Sequence, residues 1–119
     1  MKYLAIYRTS SEHFCADPSE KNLVGMQQLI ERSTKAGTLV STGGVLPNPK
    51  GAARVRRSGG KVTVKDGPYT ESKEVIAGFA VLEARSREHA IELASEFLEV
   101  VGEGESELHE LAQPPDAAC

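Results

Sequence analysis

The sequence contains few of the residues that bind structural metals. Only two of its 119 residues are cysteines, and Cys15 and Cys119 lie near opposite ends of the chain. They have no C-x-x-C spacing and no neighbouring cluster of histidines, so the common zinc-binding patterns are excluded. We therefore expect free thiols and no bound metal ion.

Long apolar runs are also absent. No stretch approaches the ~20 consecutive apolar residues of a membrane-spanning helix, and the segment 1–8 is too short for the apolar core of a signal peptide. With no tryptophan, 39% hydrophobic residues and 26% charged residues, the composition is typical of a soluble globular protein. These features predict a cytoplasmic protein that does not bind membranes.

The motifs of the common cofactor-binding and nucleophilic sites are missing as well. The chain contains no G-x-G-x-x-G fingerprint, Walker loop or nucleophile elbow, so we expect no nucleotide, flavin or metal cofactor. The formal net charge of −3 argues against nucleic-acid binding.

One segment departs from this overall acidity. Residues 50–65 contain no Asp or Glu but carry six basic residues, Lys50, Arg54, Arg56, Arg57, Lys61 and Lys65. Arg54 and Arg56 alternate with Val55, so they share a strand face and can act together on a carboxylate or phosphate. If the two arginines act together, a small anionic ligand is possible. The alternative interpretation is that they form a solvated face of a hairpin.

Hydrophobic periodicity predicts two helices. An N-cap signature at Asp17 and a stop at Gly37 bound a first helix over about 18–36. Ser86 caps a second helix that runs to about residue 101, beside the first. The predicted buried stripe of the first helix is Leu23, Met26, Leu29, Ile30 and Ser33, and that of the second is Ala90, Ile91, Ala94, Leu98 and Val101.

Period-two alternation predicts the strands. The first covers residues 2–7 and is followed by a loop from Thr9 to Ala16. A strand over 38–46 should bend or bulge at Gly43 and Gly44, and residues 54–57 and 61–65 should form a β-hairpin. Residues 75–84 form the next strand, in which Gly78 leaves room for a ligand or a neighbouring backbone, and 107–111 form a short edge strand.

This order of elements predicts an α+β, ferredoxin-like fold with a mainly antiparallel sheet, two helices on one face and an extra β-hairpin. One domain covers residues 1–112, and residues 113–119 form a flexible C-terminal tail. The sheet face without helices carries aromatic and aliphatic residues. Such a face favours pairing with a second copy, so we expect a homodimer.

The polar segment 66–79 is the most distinctive part of the chain. Asp66 and Gly67 are typical of a tight turn, and this interpretation explains both residues without any function. Glu71 and Lys73 follow closely. They form either a surface ion pair or the polar lining of a cleft.

This segment resembles the YCII-related, or DGPF-domain, family. The residues that fit the family's pattern are Asp66, Gly67, Pro68, Tyr69, Glu71, Lys73, Glu74, Gly78 and Phe79. The resemblance implies a dimeric α/β barrel with clefts between the sheets of the two subunits. It favours a cleft lined by the polar residues of this segment over a simple turn.

Characterised relatives of the family outside its DGPF branch are similar to small-molecule lyases and isomerases. These enzymes use a His on the first helix and an Asp near the second helix as a proton-transfer pair. By position that His falls at or near Met26 here, and no Asp occurs between Arg85 and Gln113. The resemblance therefore implies the fold but not this proton-transfer pair.

Two functional hypotheses follow. In the first, the chain is a small-molecule binding protein or a weak lyase- or isomerase-type enzyme that binds a small anionic or aromatic ligand. Asp66 or Glu71 would transfer protons, and the substrate would be bound by Tyr69, Lys73, Arg56, Tyr7 and His13. Tyr7 also fits the core or a dimer interface. In the second, the chain is a non-catalytic regulatory or accessory protein, as the transcription-associated label of some relatives implies.

Overall fold

The computed structural model describes residues 1–10, 20–45, 52–66 and 74–113. Their elements are β1 (Lys2–Ser10), α1 (Glu20–Ala36), β2 (Leu39–Gly44), β3 (Ala53–Ser58), β4 (Lys61–Asp66), β5 (Glu74–Glu83), α2 (Arg87–Val101) and β6 (Glu105–Glu110). Four strands form an antiparallel sheet in the order β2-β5-β1-β6, and among the described residues β3 pairs only with β4. The ferredoxin-like α+β prediction is confirmed, with the hairpin inserted between β2 and β5.

Strand β1 lies in the interior of the sheet and alternates strictly. Tyr3, Ala5, Tyr7 and Thr9 are buried on the helix side, whereas Leu4, Ile6 and Arg8 lie on the opposite, open face. The predicted loop beginning at Thr9 is wrong, because Thr9 and Ser10 continue the strand and pair with Val75 and Glu74. Thr9 continues the inward series and is only 2% exposed, so tertiary packing extends the strand past the predicted end.

The glycines of β2 and β5 allow these strands to approach closely. A Cβ atom on Gly78 would lie 3.0 Å from the Gly43 carbonyl oxygen, and one on Gly43 would lie 2.8 Å from the Phe79 ring. Gly78 therefore leaves room for a neighbouring backbone, which is one of its two predicted roles. The register shift in β2 falls between Leu39 and Ser41 and not at the glycines.

The core joins the centre of the sheet to α2. Its buried members are Tyr3, Ala5, Leu82, Ala84 and Ala90. Helix α2 begins as predicted, since the Ser86 hydroxyl accepts the His89 backbone N–H at 3.1 Å. The His89 Nδ1 in turn accepts the Arg85 backbone N–H at 3.0 Å, so the two side chains together satisfy two backbone donors at this helix end.

Helix α1 packs less tightly than its sequence predicts. Of its predicted buried stripe only Leu29 is buried, and Leu23 remains 56% exposed. In α2 the predicted stripe is also partly wrong, because Ile91 is exposed. The stripe of α1 faces open space between the helix and the sheet, so periodicity identified its inward side but not the depth of its burial.

The predicted hairpin forms as a separate two-stranded ribbon. Gly59 and Gly60 both have positive φ, 59° and 78°, as a type I′ turn requires. Its apolar side chains, Val55, Val62 and Val64, are exposed. Strand β6 begins at Glu105, earlier than predicted, because Glu105 and Ser106 pair with Arg8 and Tyr7.

Candidate functional site

A cavity of about 690 Å³ lies between the two helices and the helix-side face of the sheet. Sites for small molecules typically enclose roughly 300–1,000 Å³. Its apolar lining includes Leu23, Met26, Leu29 and Ile30 from α1, Leu93, Ala94, Phe97 and Val101 from α2, and Ala5, Leu39, Ala80 and Leu82 from the sheet. The poor burial of α1 therefore follows from the cavity beneath it.

Hydroxyl groups supply the polar side chains of the described wall. They belong to Tyr7, Thr9, Ser33, Thr38, Thr42 and Ser106. Among the described residues that line the cavity there is no Asp, Glu, His, Lys or Arg. This part of the wall can thus form neutral hydrogen bonds but offers no charged group to a ligand.

Tyr7 is fixed at one corner of the cavity. Its hydroxyl donates to the Glu103 carbonyl oxygen at 2.6 Å, and the Thr9 hydroxyl donates to the same oxygen at 3.0 Å. The Tyr7 ring meets Phe97 edge-on, with 5.1 Å between the ring centroids. These contacts hold strand β1, helix α2 and the segment after α2 together.

Gly104 allows that segment to lie directly against β1. Its φ of +145° is unfavourable for other residues, and a Cβ there would collide with the Tyr7 ring and lie 2.7 Å from the Arg8 carbonyl oxygen. The position of the Tyr7 hydroxyl therefore depends on a glycine far away in sequence.

Comparison with known proteins identifies the family. A profile of the YCII-related domain matches residues 1–100. The chain belongs to the YCII-related domain family. It is 28% identical over 78 residues to an uncharacterized protein of Rhizobium meliloti, a match that covers 66% of this chain and 62% of that relative's length.

A solved structure is also similar to this YCII-related domain. It is the 5-chloro-2-hydroxyhydroquinone dehydrochlorinase TftG of Burkholderia phenoliruptrix, in complex with 2,5-dihydroxybenzoquinone. The similarity covers 94% of each chain, with 13% sequence identity and a TM-score of 0.45.

Of the predicted site residues, the structure brings Tyr7 to the cavity of the YCII-related domain. Arg56 is exposed on β3 and pairs with Thr63, and it does not line the cavity. Asp66 is the last residue of β4 and pairs with Ala53. The remaining predicted residues, His13, Tyr69, Glu71 and Lys73, lie outside the described residues.

Several cavity residues were not predicted from the sequence. Thr9 could have been found by extending the alternation of Tyr3, Ala5 and Tyr7 by one step. Phe97 and Ser106 carry no comparable signal, because their positions depend on how α2 and β6 pack against β1. The cavity also lies within one chain, whereas the family resemblance implied clefts between the sheets of two subunits.

The described part of the chain contains no group of three or more His, Cys, Asp or Glu side chains that could hold a metal ion. No helix among the described residues is long and apolar enough to cross a membrane.

Proposed function

We propose that this YCII-related domain binds a small, mainly apolar molecule in the cavity between its helices and its sheet. The observation that carries the proposal is the combination of a volume of about 690 Å³ with a described wall of aliphatic, aromatic and hydroxyl groups. Burying an apolar ligand there would remove apolar surface from water on both the ligand and α1. Of the two ligand classes expected from the sequence, this wall favours the aromatic one over the anionic one.

Binding has more support than catalysis. Proton transfer needs a side chain that can exchange a proton near neutral pH, and the described wall contains no His and no carboxylate. Met26, at or near the place where similar enzymes carry a His, lines the cavity with a thioether that cannot act as a base.

A lyase or isomerase activity remains part of the proposal, but it would depend on residues outside the described wall of the cavity for proton transfer. It would use Asp66 or Glu71 for proton transfer, with substrate contacts from Tyr7, Tyr69, Lys73, Arg56 and His13. A non-catalytic regulatory role is the alternative, in which ligand binding itself would be the output.

We also propose that the domain forms a homodimer through the open face of its sheet. Ile6, Ile76 and Phe79 lie on this face. They are bordered by an ion pair between Arg8 and Glu107, whose charged groups are 3.6 Å apart. Ile6 pairs with Phe79 across β1 and β5, so these two apolar side chains are neighbours on the face. An apolar centre with a charged border is typical of a protein interface.

A neutral fluorescent probe tests the binding proposal directly. N-phenylnaphthylamine fluoresces strongly in apolar sites, so titration with the protein should give a saturable increase in emission. Ser33→Trp, which places a large side chain into the cavity from α1, should weaken binding at least roughly ten-fold because it occupies ligand volume.

Ser95→Trp is the matched control, since Ser95 is exposed on α2 and does not line the cavity. Equal loss of binding in both variants would contradict a site in the cavity. A lack of saturable binding to the unmodified protein would contradict the proposed function itself.

A further inference from the structure

The hydroxyl protons at the Tyr7 corner are already used within the protein. The Tyr7 and Thr9 hydroxyls both point their protons at the Glu103 carbonyl oxygen, at 2.6 and 3.0 Å. A carbonyl oxygen cannot donate, so both hydroxyls must be donors in these bonds. Because Thr9 is only 2% exposed, what this corner can still offer to a ligand is a lone pair of the Tyr7 oxygen.

The same holds on the opposite side of the cavity. The Thr38 hydroxyl donates to the Ser33 carbonyl oxygen at 3.2 Å, and the Thr42 hydroxyl donates to the Phe79 carbonyl oxygen at 2.9 Å. The Ser33 and Ser106 hydroxyls have no hydrogen-bond partner among the described residues and can rotate to donate or accept. Hydrogen-bond acceptors therefore outnumber available donors on the described side-chain wall.

The lack of charged side chains in the described wall disfavours an ionised ligand in the cavity. An ionised ligand would lose its hydration on entering, and the described wall has no charged side chain to compensate. A ligand carboxylate would also face the lone pairs of the Tyr7 hydroxyl. An uncharged ligand that donates a hydrogen bond meets neither penalty.

We infer that the ligand is an uncharged, mainly apolar molecule that presents an O–H or N–H donor to the hydroxyl oxygen of Tyr7. This inference rests on the proposed function and specifies the chemistry of its ligand. Ser106 pairs with Tyr7 across β1 and β6, so a ligand hydroxyl at this corner could accept from Ser106 while it donates to Tyr7. A hydroxyl group suits the corner better than a carbonyl, an ether or a carboxylate.

The test compares naphthalenes that differ in one substituent at the same ring position. Naphthol carries a donor, methylnaphthalene has nearly the same shape without one, methoxynaphthalene only accepts, and naphthoate is an anion. Each displaces N-phenylnaphthylamine in competition at neutral pH. We expect naphthol to bind roughly ten-fold more tightly than methylnaphthalene or methoxynaphthalene, and naphthoate to bind most weakly.

Tyr7→Phe should bring the affinity ratio of naphthol to methylnaphthalene close to one. Tyr3→Phe is the matched control, because Tyr3 is buried on the same face of β1 but does not line the cavity, and it should keep the full ratio. Circular dichroism verifies folding of both variants. If Tyr7→Phe does not fold, the affinity ratio of naphthol to methylnaphthalene in the unmodified protein still tests the donor requirement.

The possible results separate the inference from the function on which it rests. If the dye binds and is displaced, but methylnaphthalene or naphthoate competes as well as naphthol, the donor requirement is overturned while the proposed function stands. If the dye does not bind the unmodified protein, both are overturned. Selective displacement by naphthol that depends on Tyr7 supports both.

Discussion

At the scale of single residues, Gly104 links the backbone after α2 to the wall of the cavity. The segment carries the Glu103 carbonyl that accepts the Tyr7 and Thr9 hydroxyls, and it approaches β1 closely because Gly104 has no side chain. A larger residue would have to displace the Tyr7 ring or move the segment. The positions of two cavity hydroxyls therefore depend on one glycine.

Gly104→Ala should lower the free energy of unfolding by at least ~2 kcal/mol, because the backbone strain at φ +145° adds to the collision with Tyr7. Gly37→Ala is the control. Its φ is +77° but a Cβ there meets no atom within 4 Å, so only the backbone term of ~1 kcal/mol applies. Denaturant unfolding measures both, and equal losses would contradict a steric role for Gly104.

At the scale of elements, the start of α2 shows a well-defined local interaction. Ser86→Ala removes the acceptor for the His89 N–H and should lower the free energy of unfolding by ~1 kcal/mol. In Ser95→Ala the lost hydroxyl donates to the Ile91 carbonyl within the same exposed turn, so the change should stay within ~0.5 kcal/mol. A loss no larger in Ser86→Ala than in Ser95→Ala would show that the cap contributes little.

The order of elements could be predicted because each strand and helix carries a local signal. The alternation at Tyr3, Ala5 and Tyr7, the cap at Ser86 and the turn at Gly59 and Gly60 are examples. What the sequence did not predict is the separation of α1 from the sheet. Periodicity shows which side of a helix faces inward, whereas the distance to the opposite surface depends on all the side chains between them.

The candidate site was correspondingly harder to predict. Tyr7 was identified because it lies on a strand with clear alternation, but Phe97 and Ser106 come from distant elements that meet only in the folded chain. Arg56 was chosen for its charge, and it lies on the hairpin ribbon and not among the cavity residues. A cluster of charged residues in a sequence shows which side chains could bind an ion, but it does not show where the fold places them.

At the scale of the whole molecule, the sheet presents two faces with different environments. One face lies below the helices and the cavity, and the other exposes Ile76 and Phe79 beside Ile6. The hairpin ribbon adds Val55, Val62 and Val64 as further exposed apolar residues. A second copy of the chain on the open face would bury much of this apolar surface.

Ile76→Glu should shift the proposed homodimer to monomers, because it would replace an apolar side chain of the interface with a charged one that loses its hydration on association. Ile91→Glu provides a close control, since Ile76 and Ile91 are both 41% exposed but Ile91 lies on α2. Sedimentation velocity of the unmodified protein and both variants measures the effect. A monomeric unmodified protein, or a dimer that survives Ile76→Glu, would contradict the proposed interface.

The exposed stripe of α1 has a consequence for the motions of the domain. A helix with one buried residue in its stripe gains little from its position, so it should open locally more often than α2, which buries Ala90 and Ala94. Amide hydrogen exchange should therefore be faster in α1 than in α2. A ligand that fills the cavity would give α1 the packing it lacks, and exchange should then slow in α1 far more than in the hairpin ribbon.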